Sequence, residues 1–226
     1  MLRMHIAIDG PAGAGKSTIA KAIAQKLHIL HLDTGAMYRT LALFALQRHV
    51  DPNDAAAVAQ ILPGADIRVA YQDGLQRMLL NGADVTDKIR TPEIGKGASD
   101  IAAHPAVREK MVKLQQIVAN ENDVVMDGRD IGTVVMPRAK FKFYVSASSR
   151  VRAERRLHEF REKSIPHTQT LQEIEEAIIA RDYTDSHRRI GPLRQADDAV
   201  FIDTTHMNIE QSVQAIWNKI VGGASE

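Results

Sequence analysis

"GPAGAGKS", residues 10–17, lies between the apolar run "MHIAI" (4–8) and the helix-like stretch "KSTIAKAIAQKL" (16–27). The spacing G-x-x-x-x-G-K-[ST], directly after a strand and opening a helix, is that of a loop that cradles phosphate. Gly10, Gly13 and Gly15, with Pro11, Ala12 and Ala14 between them, let the backbone aim successive N–H groups inward, and the following helix adds its positive end. In such a loop Lys16 reaches the β and γ phosphates of a nucleoside triphosphate. The Ser17 hydroxyl, next to Thr18, is placed to ligate Mg²⁺. The plain alternative is a glycine-rich turn with a solvated lysine, which would not require every fixed position of the signature between a strand and a helix.

Working outward, "ILHL" (29–32) reads as the next strand, and a helix begins near Gly35, where Met37, Leu41, Phe44 and Ala45 recur at helical spacing. It ends before "HVDPND" (49–54). Residues 66–89 contain Asp73-Gly74 and Asn81-Gly82 between short β-prone runs, predicting a small antiparallel sheet of two or three strands. Two helices follow, the second starting at Pro105 with a stripe of Val107, Met111, Leu114 and Val118. "DVVM" (123–126), "KFKFYV" (140–145) and "AVFID" (199–203) read as strands. "SRVRAERRLHEFREK", the polar stretch around 170–187, and the segment carrying Ile209, Val213, Ile216 and Ile220 read as helices. Strands apolar on both faces, alternating with helices, predict an α/β fold of three layers with a central parallel sheet. No repeat or linker divides residues 1–226, so one domain is expected.

Composition narrows the function classes. The chain has 226 residues, 44% apolar and 25% charged, enough for one substantial core. A net charge of +1 argues against broad nucleic-acid or membrane binding. The absence of cysteine excludes disulfides and Cys-ligated metal. The first ten residues hold too short an apolar stretch for a signal or a span, so a cytoplasmic protein is expected. Nine histidines invite a metal reading, but His28 and His31 flank an apolar strand and the rest scatter, which favours surface or edge residues.

A phosphate loop leaves the use of the triphosphate open. The guanine-reading N-K-x-D is missing: Asn218-Lys219 is followed by Ile-Val within a helix. An oligomeric ATPase is harder to exclude, although the chain leaves little for a partner domain. "LDTGAMYR" (32–39) brings Thr34, Tyr38 and Arg39 to the carboxyl edge of the sheet, where open α/β sheets bind ligands. Guanidinium forks match phosphate oxygens there; equally, Tyr38 is partly core and Arg39 a solvated helix residue. "VVMDGRDIGT" (125–134) packs Asp127, Arg129 and Asp130 at the end of an apolar run, as a surface turn or as a working site.

Beyond the phosphate loop, the chain resembles the bacterial cytidylate kinases, a branch of the nucleoside monophosphate kinases. The likeness rests on "DGPAGAGKST", "LDTGAMYR", the hairpin insert, "IRTPEIGKGAS" (89–99), "PAVRE" (105–109), "DGRDIGTVV" (127–135), "SSRVRAERR" (148–156), "RDYTDSHRRIGPL" (181–193) and "DDAVFIDTT" (197–205). The resemblance implies a P-loop kinase fold in which residues 63–104 form an acceptor-binding insert and roughly 150–185 a helical lid. It implies ATP-dependent phosphorylation of CMP and dCMP, with Mg²⁺ on the donor phosphates. It implies that Ser99, Arg108 and Asp130 read the base, that Arg39, Arg129 and Arg188 hold the acceptor phosphate, and that Thr34, Tyr38 and Asp185 lie near sugar and phosphate. Lys16, Arg129, Arg181 and Arg188 would stabilise charge during transfer, with Arg152, Arg155 and Arg156 supplied by the lid and Arg152 and Arg156 assigned to the ATP side.

If helix persists, Arg181, Asp185 and Arg188 project from one face; the alternative is a surface ion pair. Asp33 and Asp127 are expected either to orient Mg²⁺-bound water or to cap the next helix. Thr34 replaces a Ser common in the family, and Gly191 stands where Ser or Ala is usual. A monomer is the family expectation. The rivals are a kinase for another acceptor, such as AMP, UMP or a small alcohol, and an idle nucleotide-binding module.

Overall fold

The computed structural model describes residues 3–162, 165 and 167–222. β1 (His5–Asp9) runs through the middle of a five-stranded parallel sheet, between β6 (Val124–Gly128) and β7 (Phe141–Ser146). β2 (Leu30–Asp33) and β8 (Val200–Asp203) form its edges. Ile6 and Ile8, fully buried, turn toward α1 (Lys16–Leu27) and α8 (Ile209–Gly222). Ala7 turns the other way, joining Leu32, Val124 and Met126 beneath α2 (Thr34–Gln47), α4 (Pro92–Ile101) and α5 (Pro105–Glu121). Period-two alternation with helices on both faces is why the inner strands read as unbroken apolar runs.

The expectation that every strand is apolar on both faces fails at the edges. In β8 only Ile202 is buried, and Val200 and Phe201 are exposed; in β2 only Leu32 is fully buried. An edge strand has fewer neighbours to bury it, so its sequence need not be apolar throughout.

The insert consists of β3 (Ile67–Gln72), β4 (Leu75–Leu80) and β5 (Ala83–Asp84), paired antiparallel in that order. Both residues of each turn, Asp73-Gly74 and Asn81-Gly82, have positive φ, as tight hairpins of this hand require. The insert attaches to the free edge of β2 through side chains. Gln76 Oε1 accepts from the Asp33 N–H at 2.7 Å, Gln76 Nε2 donates to the Asp33 carbonyl at 3.2 Å, and the Tyr71 hydroxyl donates to the His31 carbonyl at 3.1 Å.

α6 (Ser149–Glu162) and α7 (Leu171–His187) pack on each other around a separate small core of Ala153, Phe160, Ile174 and Ile178. A capping box between Thr170 and Glu173 starts α7. Four short elements have no counterpart among those expected from the sequence, two of them 3-10 turns at Leu62–Gly64 and Lys88–Arg90. α3 (Ala55–Ile61), capped by Asp54, buries only Val58 and so carries no apolar stripe. A single π-helical turn spans Ile131–Val135. Other boundaries move by a residue or two; "MHIAI" (4–8), for example, becomes His5–Asp9. Among the described residues no helix is long and apolar enough to cross a membrane.

The strand order puts β2 on one side of β1 and β7 on the other. A crevice therefore opens at the carboxyl ends of β1 and its neighbours, where such sheets hold ligands.

Candidate active site

The phosphate loop leaves β1 at Gly10, where φ is 146° and a β-carbon would run into the Val145 carbonyl of the neighbouring strand. Gly15, at φ 89°, opens α1. Lys16 is buried and its ammonium donates to the Pro11 carbonyl at 2.7 Å. Burial, reinforced by the nearby Arg129, lowers its pKa to about 7. Anionic phosphate in the loop would reverse that penalty by pairing the charge.

Asp127, at the end of β6, has both oxygens engaged. Ser17 Oγ donates to Oδ2 at 2.6 Å, and His31 Nε2 lies 2.8 Å from Oδ1. An ionised carboxylate only accepts, so the His31 proton belongs on Nε2 in this arrangement. Of the two roles weighed for Asp127, helix capping has no support in these contacts. Asp33 does cap: it accepts from the Ala36 N–H at the start of α2 and also takes Arg39 Nη2 at 2.6 Å. Ser17 and Asp127 set hydroxyl and carboxylate oxygens side by side on the cavity wall, the hard donors that suit Mg²⁺. Among the described residues no group of three His, Cys, Asp or Glu could hold a metal alone.

A cavity of about 420 Å³ runs from this loop to α4 and α5. At its far end Arg108, 2% exposed, pairs closely through Nη2 with Asp130 Oδ2. Its Nε and Nη1 are buried without hydrogen-bond partners. The other Asp130 oxygen is 3.5 Å from Arg188 Nη2. Burial raises the Asp130 pKa despite Arg108 and Arg188. Ser99 on α4 and Tyr38 on α2 line the same end, with Tyr38 9% exposed and its hydroxyl unpartnered. Thr34, buried at the start of α2, donates to the Asp127 carbonyl at 2.7 Å. Gly191 abuts the Arg108–Asp130 pair with φ at 55°, and a β-carbon there would strike both side chains. A side chain at this position would therefore have to displace the Arg108–Asp130 pair from a backbone conformation that favours glycine.

Between the two ends stands a cluster of arginines. Arg129 Nε donates to Asp185 Oδ2 at 2.7 Å, and Arg188 Nη1 is 3.9 Å from Asp185 Oδ1. Arg181 has a buried, unpartnered Nε, and its pKa falls to about 10, first through burial and then through Arg129. Arg39 and Arg156 line the same cavity. One expectation needs correction: α7 ends at His187 and Arg188 is extended, at ψ 142°. Arg181 and Asp185 share a helix face, whereas Arg188 reaches back from beyond the helix. The chain turns there because the Leu193 N–H bonds back to the Asp185 carbonyl at 2.8 Å.

A second cavity, of about 630 Å³, opens on the other side of the loop, between Gly13, Ala14, Thr18, Arg156, Met207 and Asn208. Arg152 lines neither cavity. It is buried behind the loop, donating to the Ala12 carbonyl at 3.1 Å and pairing with Asp182 at 2.6 Å. Arg155 is turned onto the Thr204 and Met207 carbonyls. His31, expected only as an edge residue, pairs with Asp127, while Met207, Asn208 and Asp9 had no expected role. Only Asp9 left a usable signal, an acid embedded in an apolar strand directly before Gly10.

A family model described as cytidylate kinase matches residues 6–221. The chain belongs to the cytidylate kinase family. Relatives named cytidylate kinase include one from Lactobacillus gasseri, 48% identical and covering 94% of this chain and 92% of its own. Another from Halalkalibacterium halodurans is 44% identical with 96% of each chain covered, and one from Bacillus anthracis is 45% identical with 97% of each covered. The match to the cytidylate kinase family takes in β1, the insert and α6–α7 alike. It therefore reaches the acid and arginine cluster as well as the phosphate loop shared by many unrelated proteins.

Proposed function

We propose that the chain phosphorylates CMP and dCMP with ATP, yielding CDP or dCDP and ADP. The observation that carries this reading is the buried Arg108–Asp130 pair: a carboxylate oxygen beside unpartnered guanidinium N–H groups at the cavity end. Cytosine presents an N4 amino donor next to the N3 and O2 acceptors, the complement of that pair. Uracil offers O4 to the carboxylate instead, and a site built to bond a donor rejects an analogue lacking it strongly.

In this reading Ser99 adds a hydroxyl to base recognition, Arg39, Arg129 and Arg188 hold the acceptor phosphate, and Tyr38, Thr34 and Asp185 border sugar and phosphate. The donor lies along Gly10–Thr18, with Lys16 on its β and γ phosphates and Arg156 over the second cavity. Arg152 acts from behind, keeping the loop in shape through Ala12. Mg²⁺ would be held by Ser17, with Asp127 bonding its waters, and would neutralise charge on the donor phosphates. Lys16, Arg129, Arg181 and Arg188 surround the path between the phosphates. Transfer needs in-line placement and charge stabilisation more than a base. We assign residues 63–104 to acceptor binding and α6–α7 to a lid that keeps water from competing with the acceptor.

The test is an acceptor panel with ATP and Mg²⁺. The expected result is a kcat/KM for CMP and dCMP well above those for UMP, AMP and shikimate. A higher value for any of those three, or ATP and CMP binding without CDP formation, would overturn the reading.

A further inference from the structure

Asp9 adjoins the phosphate loop in sequence and lies near enough to Lys16 to act on its charge, yet its side chain bonds the turn that follows Asp130. It is 3% exposed, and its two oxygens accept separately from the N–H groups of Ile131 at 2.8 Å and Gly132 at 2.7 Å. Those are the first donors of the π-helical turn, which have no acceptor within the turn itself. The same residue pairs through its backbone with Gly128 on β6. Between Gly128 and Ile131 lie only Arg129 and Asp130. Asp9 thus grips both ends of a two-residue bridge, by its main chain on one side and its carboxylate on the other.

The side chains of the bridge are held by Asp185 and Arg108, but its main chain is fixed at the Asp9 clamp. Asp130 has φ −147° and ψ 27°, outside both helix and strand, and its carbonyl accepts from Val134 N–H at 2.9 Å as the turn begins. A β-carbon on Gly132 would lie 3.2 Å from Lys142 Cδ, a tight approach, and 3.4 Å from Asp9 Oδ2, an ordinary contact, so the turn is seated between the lysine stem and the carboxylate. Using both oxygens fixes rotation as well as distance, and an ionised acceptor at a turn's amino end is favoured by its dipole.

We propose that Asp9 is a positioning residue for acceptor selection: by clamping the Ile131 and Gly132 amides it sets where Asp130 meets the acceptor base. This rests on the CMP reading above. It makes an unusual demand, because a residue next to the donor loop should, when changed, damage the acceptor side.

Asp9→Asn preserves volume but presents one oxygen and one amino group to two N–H donors. Losing one charge-assisted bond corresponds to about a tenfold change or more. The expected signature is a KM for CMP raised by about that factor and a comparable fall in the CMP-to-UMP ratio of kcat/KM, with the KM for ATP within about twofold. Gly132→Ala adds a methyl against Lys142 Cδ and beside Asp9 Oδ2, shifting the clamped turn while leaving Asp9 intact, and should move the same ratio in the same direction by a smaller factor. It decides the matter should Asp9→Asn fail to fold. Equal rises in the KM values for ATP and CMP, or an unchanged CMP-to-UMP ratio in the folded variant, would overturn the proposal. The wild-type panel keeps the two readings apart: loss of CMP preference there defeats the proposed function, whereas a CMP-selective wild type with an unmoved variant ratio defeats only the role of Asp9.

Discussion

In the proposed reading, Asp130 is the residue on which acceptor choice turns. Asp130→Ala removes a charge-assisted bond to the base, so the KM for CMP should rise about 10- to 100-fold while ATP affinity measured by calorimetry stays within about twofold. Equal loss of both would contradict base reading. The same change leaves Arg108 buried without its counter-ion, which should lower unfolding stability by about 3–5 kcal/mol in urea titration. Asp9 supplies a pH prediction. Burial is the main cause of its pKa of about 6, opposed by the Ile131 and Gly132 amides, with Asp130 pushing it up and Lys16 pulling it down. Its folded pKa exceeds the ordinary 3.8, so the folded state binds the extra proton between about pH 4 and 6, and this group's contribution to stability falls as pH rises through that window. Keeping Asp9 ionised at neutral pH costs on the order of 3 kcal/mol. Protonation also turns one of its oxygens into a donor facing an N–H. Below about pH 6 the CMP-to-UMP ratio should therefore fall even as Asp9 itself ceases to destabilise the fold. A ratio flat from pH 7.5 to 5.5 would argue against it. Asp130 was legible in the sequence because it sits in a quotable pattern. His31 was not, since nothing in one chain tells an edge histidine from one aimed at a carboxylate on the neighbouring strand, 96 residues away in sequence.

At the scale of elements, α6 and α7 stand apart because they carry their own core. Phe160, 4% exposed, is its largest member, and Phe160→Ala should remove about 3–5 kcal/mol of packing. Hydrogen exchange should rise across α6 and α7 while β1, β6 and β7 keep their protection; uniform loss would mean that the helices are not a separate cooperative unit. The inner strands and long helices were readable because each must present an apolar face at a fixed period. α3 escaped because seven residues with one buried side chain show no period. The π turn escaped because its cause is the Asp9 carboxylate, distant in sequence. Arg188 misled for a related reason: a three-residue spacing suggested continued helix, but the chain leaves α7 first and returns to Asp185 from outside.

At the scale of the molecule, the proposed donor and acceptor regions meet on one sheet edge, and ligand should stabilise the whole chain by mass action. CMP at 100 times its Kd adds about 2.7 kcal/mol, which for a chain of this size raises Tm by about 5–10 °C. UMP at the same concentration should add far less; equal shifts would deny base selection in binding. The three-layer plan was legible from alternation alone, whereas the docking of the insert was not, because Gln76 is an unremarkable polar residue in an exposed-looking strand. Its amide nonetheless occupies the place of a sixth strand beside β2, satisfying the N–H and carbonyl of Asp33. A bare strand edge invites pairing with another copy of itself. The glutamine thus doubles as a guard against self-association, and Gln76→Ala should leave the central sheet folded yet shorten the time to visible aggregation on mild heating.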